Sequence, residues 1–296
     1  LFKFIHILWR FSRPHTIIGS LLSVSALYVL ALPNIYSFSD FISIWLITLF
    51  SCLCCNIFIT GLNQWADVEI DRVNKPYLPI ASGELNRQSA LRICIISLFL
   101  ALASAAVLGA GFVLFIALIA GIGAAYSLPP LRLKKHHFGA AAAISAVRGI
   151  LVNVGLFLHY RHEIVQQIDF PPYMLALTVF VTAFSIGIAW FKDIPDTGGD
   201  AAHGVKTLPL VLSRKAALGF GVALVSAAYL YMAVFLFFSG FYTGAVFHML
   251  LLLVFLFPAA KLKAGNNEAV YRFYMLFWVL FFVEYLTYPL IIQLNL

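Results

Sequence analysis

Charge is what this sequence has least of. Asp, Glu, Lys and Arg make up 10% of the 296 residues, against about a quarter in a soluble domain. With 62% hydrophobic residues and a mean hydropathy of +0.97, that scarcity excludes an ordinary water-soluble fold. Cysteine is nearly absent as well. Cys52, Cys54, Cys55 and Cys94 all lie in apolar stretches, without the paired spacing and nearby histidine of a zinc site, so they read as small packing residues. There is no Pro/Gly/Ser-rich linker and no shift of composition, so residues 1–296 read as one intramembrane domain. The start carries neither a cleavable signal pattern nor an initiator Met, which reads as a processed or trimmed form.

What is present is length in the apolar runs. Nine of them, near 16–32, 41–65, 89–108, 112–128, 139–158, 173–191, 216–238, 242–260 and 272–292, are long enough to cross a bilayer as helices. The expected fold is all-α and integral to the membrane, nine transmembrane helices in a bundle over 14–296. Residues 1–13 precede it. There Lys3, His6, Arg10 and Arg13 recur at helical spacing among Phe2, Ile5, Leu8 and Trp9, the pattern of an amphipathic helix lying at the membrane surface.

The net charge of +7 raises the question of nucleic acid, and the placement of the basic residues answers it. Lys3, Arg10 and Arg13 precede the first span. Arg72, Lys75, Arg87 and Arg92 surround the connection from second to third, and Arg132, Lys134 and Lys135 that from fourth to fifth. Lys192, Lys206, Arg214 and Lys215 follow the sixth, and Lys261, Lys263 and Arg272 join the eighth to the ninth. This assigns 17 of the 19 basic residues to one face, with only Arg161 in an opposite loop and Arg148 inside a span. The distribution is that of the positive-inside rule, with the N-terminus cytoplasmic or stromal, and nucleic acid is not an expected partner.

Two acidic clusters open on that same face. In Asn63-Gln-Trp-Ala-Asp67-Val-Glu69-Ile-Asp71, a continuous helix would set Asn63, Asp67 and Asp71 in one stripe. In Lys192-Asp193-Ile-Pro-Asp196-Thr-Gly-Gly-Asp200, Asp196 and Asp200 repeat the spacing, and Pro195 with Gly198-Gly199 predicts a break in the helix. Carboxylates this costly at a membrane point to magnesium and a diphosphate, with Asp67, Asp71, Asp193, Asp196 and Asp200 as candidate metal ligands. The competing reading is a pair of solvated helix ends bonded to Arg72, Lys75 or Lys192. The two clusters follow spans two and six, which hints at two related halves of about four helices.

A diphosphate leaving group needs positive charge beyond the metal's. Arg72, Lys75, Arg132, Lys134 and Lys192 stand on the correct face to bind it, although each also serves the positive-inside rule. Tyr126 closes the fourth span where its hydroxyl reaches toward phosphate, or where it anchors the interface. Arg148 is expected to face the bundle interior and meet a carboxylate or an anionic substrate. Asn153 in the same span and His159 at its far end are weaker candidates. Most of the 28 Phe must face lipid or pack between helices, leaving a subset to line an apolar tunnel and stabilise a cation through ring faces.

These motifs resemble the UbiA superfamily of intramembrane aromatic prenyltransferases, and within it the homogentisate prenyltransferases. The resemblance runs from Arg10-Phe-Ser-Arg13-Pro14-His15-Thr-Ile-Ile-Gly19 to Glu284-Tyr-Leu-Thr-Tyr-Pro289. Between them lie Asn63–Gly83, Tyr126–Lys134, Arg148–Gly155 and Phe191–Asp200. It implies nine helices around a central cavity, with Asn63, Asp67, Asp71, Asp193, Asp196 and Asp200 at the metal and diphosphate positions. Gly198 stands where similar sequences often carry Glu. The implied reaction is Mg2+-dependent transfer of a prenyl group, phytyl or geranylgeranyl ahead of solanesyl, from its diphosphate to homogentisate with decarboxylation, as in tocopherol and plastoquinone synthesis. The implied setting is a bacterial, cyanobacterial or plastid membrane with the site toward cytoplasm or stroma. Catalytic roles are expected for Asn63, Asp67, Asp71, Tyr126, Arg148, Asp196 and Asp200. The rivals are a prenyltransferase for 4-hydroxybenzoate, a naphthoate or a chlorophyllide, and a membrane transporter.

Overall fold

In lipid a chain must satisfy its backbone polar groups internally, and helices do this within one segment. The computed structural model describes residues 2–33, 37–202, 204 and 206–296, with the side chains of Phe2 and Lys3 outside the described set. Among the described residues there is no β-strand, and nine helical stretches are long and apolar enough to cross a membrane. They are Pro14–Ala31, Phe38–Ala66, Arg87–Val107, Ala110–Ser127, His137–Val165, Pro172–Asp193, Arg214–Phe238, Tyr242–Lys261 and Asn267–Leu294. The fold is an integral membrane helical bundle.

In chain order the elements are α1 (Phe2–Phe11), α2 (Pro14–Ala31), α3 (Ile42–Ala66), α4 (Val68–Asn74), α5 (Arg87–Val107) and α6 (Ala110–Ser127). The fifth span is composite, α7 (His137–Ile144), a π-helical stretch Ser145–Gly155 and α8 (Leu156–Val165). Then come α9 (Pro172–Asp193), α10 (Thr197–Ala202), α11 (Leu208–Val211), α12 (Arg214–Phe238), α13 (Tyr242–Lys261) and α14 (Asn267–Leu294).

The exterior of the bundle is apolar because lipid replaces water there. Phe99, Val107, Leu114, Phe238 and Phe257 are all more than three-fifths exposed. The core sits on α9, whose Phe180, Val181, Phe184 and Ile188 are buried between the π-helical stretch, α12 and α14. Glycine permits the closest approaches. A Cβ at Gly149 would lie 2.6 Å from the Thr182 backbone, and one at Gly221 would lie 2.2 Å from the Phe191 ring.

Each end of the bundle is laced separately. On the basic face Arg10 pairs with Glu84 at 2.8 Å and also bonds the Tyr77 carbonyl, Arg214 bonds Asn267, and His137 N donates to the Lys206 carbonyl at 2.9 Å. On the opposite face Tyr28 OH donates to the Phe38 carbonyl at 2.8 Å and Gln293 Nε2 to that of Val29 at 2.9 Å. α1 is amphipathic as expected, with Phe4, Ile5 and Trp9 exposed and Phe11 buried; Gln64 Nε2 donates to the Phe11 carbonyl at 2.6 Å.

Three expectations need correction. The fifth span runs on to Val165, so Arg161 lies within α8 rather than in a loop and pairs with Asp169 at 2.7 Å. The second span is not one continuous helix through Asp71, since α3 stops at Ala66 and α4 begins at Val68. His159, a weaker site candidate in the sequence, packs between helices instead, stacked on Phe112 with centroids 4.2 Å apart.

Candidate active site

Both acidic clusters sit where a membrane helix ends and a short helix resumes. At the first, Asp67 has φ −110° and ψ 17°, outside the helical range. The amide of Asp67 nevertheless bonds the Asn63 carbonyl at 3.0 Å, and that of Asp71 bonds the Asp67 carbonyl at 2.8 Å. The four-residue step therefore survives the break, and so does the polar stripe. At the second, α9 ends at Asp193 and Pro195 supplies no amide to continue it; the Asp200 amide then bonds the Asp196 carbonyl at 3.1 Å in the new helix.

The short helices α4 and α10 pack against each other, which brings the clusters together. Asp67, Asp71, Asp193, Asp196 and Asp200 are buried, and all five line one cavity of about 310 Å³. Asn63, Lys75, Tyr126, Lys134, Arg148 and Lys192 line it too.

Cations face the carboxylates at close range. Lys134 pairs with Asp67, whose Oδ1 also accepts from Arg132 Nη2 at 3.2 Å, and Lys75 pairs with Asp196. Lys192 Nζ lies 2.7 Å from Asp193 Oδ1 and donates to Tyr126 OH at 3.4 Å. Asn63 Nδ2 donates to Asp67 Oδ2 at 3.0 Å while its Oδ1 accepts from Arg13 Nη2 at 3.1 Å. Arg132 supports Asp67 without lining the cavity. Arg72 is a correction: it is exposed, pairs with Glu69 one turn back at 2.8 Å, and lies outside the cavity lining.

Burial shapes the titration of this mouth. It pushes the Asp71 carboxyl up to about 6, against the opposing pull of Arg13 and Lys75. Asp200 is pushed up to about 7, again chiefly by burial and then by neighbouring Asp193. Burial lowers the Lys134 ammonium, with Asp67 acting in the opposite sense.

The structure tests the metal expectation in its own terms. No group of three His, Cys, Asp or Glu among the described residues is positioned to ligate one ion, and lysines stand against Asp67, Asp193 and Asp196. Asp71 Oδ2, however, is buried with no hydrogen-bond partner. Five carboxylates around one mouth, one with an unsatisfied oxygen, form a hard donor set of the kind that fits magnesium. Gly198 is exposed with open space where a side chain would begin.

Below the mouth, Arg148 faces inward as expected, but its partner is not a carboxylate among the described residues. The guanidinium lies over the Trp278 ring at 4.5 Å and near Phe281 at 5.8 Å. Asn153 does not line the cavity; its Nδ2 donates to the carbonyls of Arg148 and Gly149 at 3.1 and 2.7 Å, and its Oδ1 accepts from Tyr285 OH at 2.8 Å. Deeper still the wall is apolar, with Val24, Ile59, Ile116, Ile119 and Leu156. Cys52 and Cys55 belong to this wall as well as to the packing of α3, an addition to the role expected of them, and all four cysteines are free.

Arg13, His15, Tyr274 and Tyr285 line the cavity without having been singled out as site residues. Arg13 carried a usable signal, because it precedes Pro14 at the start of a helix. Its φ of 54° is in the left-handed region, a conformation that aims its side chain at Asn63 and is uncommon for a residue other than glycine.

The chain is similar to several known proteins. A homogentisate phytyltransferase from Synechocystis sp. is 38% identical, over 97% of this chain and 95% of that protein. A chloroplastic homogentisate solanesyltransferase from Arabidopsis thaliana is 36% identical, over 97% of this chain and 77% of that one. A UbiA homolog from Archaeoglobus fulgidus, solved with GPP and Mg2+ bound, shares the fold with a TM-score of 0.65 at 18% identity, over 96% of this chain and 99% of that chain. The family model of the UbiA prenyltransferases matches residues 20–281, a stretch holding both acidic caps, the cationic ring and the apolar wall beneath them, and the chain belongs to that family.

Proposed function

We propose that this protein transfers a prenyl group from its diphosphate to homogentisate, with loss of the acceptor's carboxylate as carbon dioxide, acting as a single intramembrane unit. The observation that carries the reading is the convergence of two acidic caps and Lys75, Lys134 and Lys192 on one cavity whose deeper wall is apolar. A charged head and a long hydrocarbon tail on one substrate match those two regions. The names of the relatives support homogentisate as acceptor.

Asp67, Asp71, Asp193, Asp196 and Asp200 would hold Mg2+, which supplies charge neutralisation for the diphosphate oxygens. The chain's own cations do the rest of that work. Lys75, Lys134, Lys192 and Arg13 stabilise negative charge developing on the bridging oxygen as the bond to the allylic carbon breaks and its electron pair leaves with the diphosphate. Tyr126, already bonded to Lys192, adds a hydroxyl donor at the same level. The allylic cation is left beside the rings of Tyr274, Trp278 and Phe281, which line the cavity and stabilise it through their π-systems.

The acceptor ring then supplies the electron pair for the new carbon–carbon bond. Arg148, held over the Trp278 ring, presents its guanidinium to the acceptor carboxylate, and Tyr285, fixed by Asn153, orients the ring. The carboxylate leaves as carbon dioxide, and the proton lost from the ring balances the one gained by the methylene carbon, which becomes a methyl group.

The test is a product assay on detergent-purified protein with Mg2+, homogentisate and a prenyl diphosphate, read by mass. The expected product is a decarboxylated methyl-prenyl quinol that disappears with chelator and in Asp67→Ala. Transfer to 4-hydroxybenzoate or a naphthoate but not to homogentisate would overturn the acceptor, and no transfer from any donor by folded protein would overturn the reaction.

A further inference from the structure

The apolar end of the cavity stops at the same depth on four helices. Its lowest lining residues are Val24 on α2, Cys52 on α3, Ile116 on α6 and Leu156 at the start of α8. One turn further along each helix, outside the lining, stand Tyr28, Thr48, Phe112 and the adjacent pair His159 and Tyr160. Tyr28, Thr48 and Tyr160 are fully buried and Phe112 nearly so.

These side chains contact one another between helices. The Phe112 and His159 rings stack with centroids 4.2 Å apart and 16° between planes. Thr48 Oγ1 meets His159 Nε2 at 3.2 Å, and the Tyr28 and Tyr160 rings meet edge to face at 5.2 Å. Tyr28 is itself tied to the Phe38 carbonyl at 2.8 Å. A floor contributed by four helices and held by stacking and hydrogen bonds yields less readily than a single side chain.

Helical rise gives the distance from mouth to floor. From Asp67 to Cys52 is fifteen residues, about 22 Å, and from Arg13 to Val24 is eleven, about 16 Å. An isoprene unit advances the chain by four carbon–carbon bonds, about 5 Å when extended. Three to four units fill this depth, whereas nine would need roughly twice the length of the cavity or more.

Resting on the prenyltransferase reading above, we propose that Tyr28, Thr48, Phe112, His159 and Tyr160 form a floor that sets the donor's length at about four isoprene units, so that the geranylgeranyl and phytyl diphosphates are substrates and solanesyl diphosphate is rejected. The relatives leave this open, since both phytyl- and solanesyltransferases are among them. One helical turn, about 5.4 Å, is close to one isoprene unit. Raising the floor by one turn therefore removes one unit from the accepted chain.

The experiment offers farnesyl, geranylgeranyl and solanesyl diphosphates in equal amounts with Mg2+ and homogentisate, and reads the products by mass. The wild-type protein is expected to favour geranylgeranyl over solanesyl by about 100-fold or more, the scale of discrimination by a wall that cannot hold extra carbons. Cys52→Phe, which fills the lowest turn of the tunnel, is expected to move the preference from geranylgeranyl to farnesyl. Phe112→Ala is expected to raise use of solanesyl diphosphate; Cys52→Phe keeps the test decisive should removing Phe112 unfold the floor. Solanesyl transfer as fast as geranylgeranyl transfer, or an unchanged farnesyl to geranylgeranyl ratio in folded Cys52→Phe, overturns the floor and leaves the prenyltransferase reading standing. If no donor reacts, that reading falls instead, and thermal protection by unreactive prenyl thiodiphosphates decides the floor: protection by the geranylgeranyl form alone supports it, and equal protection by the solanesyl form overturns it.

Discussion

Asp71 and Asp200 keep their protons to higher pH than ordinary carboxyls do, with values of about 6 and about 7 caused first by burial. Between about pH 4 and those values the folded protein holds protons that the unfolded chain has released. These two groups therefore contribute most stability at low pH, and the contribution falls as pH rises through about 6 and then about 7. A bound divalent cation reverses the sign, because it needs both carboxylates ionised. In detergent without magnesium, the apparent melting temperature should fall between about pH 4 and about pH 7 at these two sites; with excess Mg2+ the fall should disappear, and half-saturating Mg2+ should decrease as pH rises. A magnesium requirement unchanged across that range would remove these two residues from the metal site. Arg148 makes a second test at this scale. Losing a charged hydrogen-bond partner should raise KM for homogentisate about 10- to 100-fold in Arg148→Ala, with KM for the donor unchanged. Arg148→Lys should not restore it, since a lysine lacks the planar group that lies over Trp278.

At the scale of elements, some devices were written in the sequence and others arise only from packing. The break after α9 is legible because Pro195 and Gly198-Gly199 punctuate it. The break after α3 is not, since Trp65-Ala66-Asp67 contains no punctuation, yet the stripe of Asn63, Asp67 and Asp71 is legible in the spacing because the i to i+4 hydrogen bonds cross the break. The π-helical stretch Ser145–Gly155 left no mark either; it depends on Asn153 taking up the carbonyls of Arg148 and Gly149, and on Gly149 lying against the backbone of α9. Gly149→Ala should force α9 away and cost about 1–3 kcal/mol, read as a lowered melting temperature with weaker acceptor binding, because Arg148 and Tyr285 are set by the same stretch. Away from the cavity, α13 and α14 are joined by His248 Nε2 and Glu284 at 3.1 Å, both fully buried, with His248 Nδ1 on the Gly244 carbonyl at 2.8 Å. Glu284→Ala leaves His248 without its partner in a dry interior and should destabilise the protein by about 3–5 kcal/mol. Glu284→Gln, which keeps an acceptor, should lose much less, and equal melting temperatures for the two variants would contradict the tether.

For the whole molecule, hydropathy and charge defined the span count and the face of the site, but not which cations on that face reach the cavity. Arg72 and Lys75 are three residues apart in one connection, and the rotation of α4 turns the first toward Glu69 and the second toward Asp196. The positive-inside rule treats them alike. Arg13, His15, Tyr274 and Tyr285 come from opposite ends of the chain and converge only when α14 packs on α2. The distribution of charge predicts the orientation in the membrane. Apart from Arg148 and Arg161, the basic residues lie with both acidic caps at one end of the bundle, while Glu163 and Asp169 lie with Arg161 at the other. A charged diphosphate head is costly to carry through hydrocarbon, so the expected orientation has the mouth facing the compartment that supplies the donor. With the four native cysteines replaced, Ser82→Cys on the mouth side should react with a membrane-impermeant thiol reagent only from the cytoplasmic or stromal face. Gln167→Cys should react only from the other face. Both residues are exposed, so access across the bilayer and not burial decides the outcome. The reversed pattern would place the carboxylates opposite the positive-inside face and require the donor to cross the bilayer before it could react.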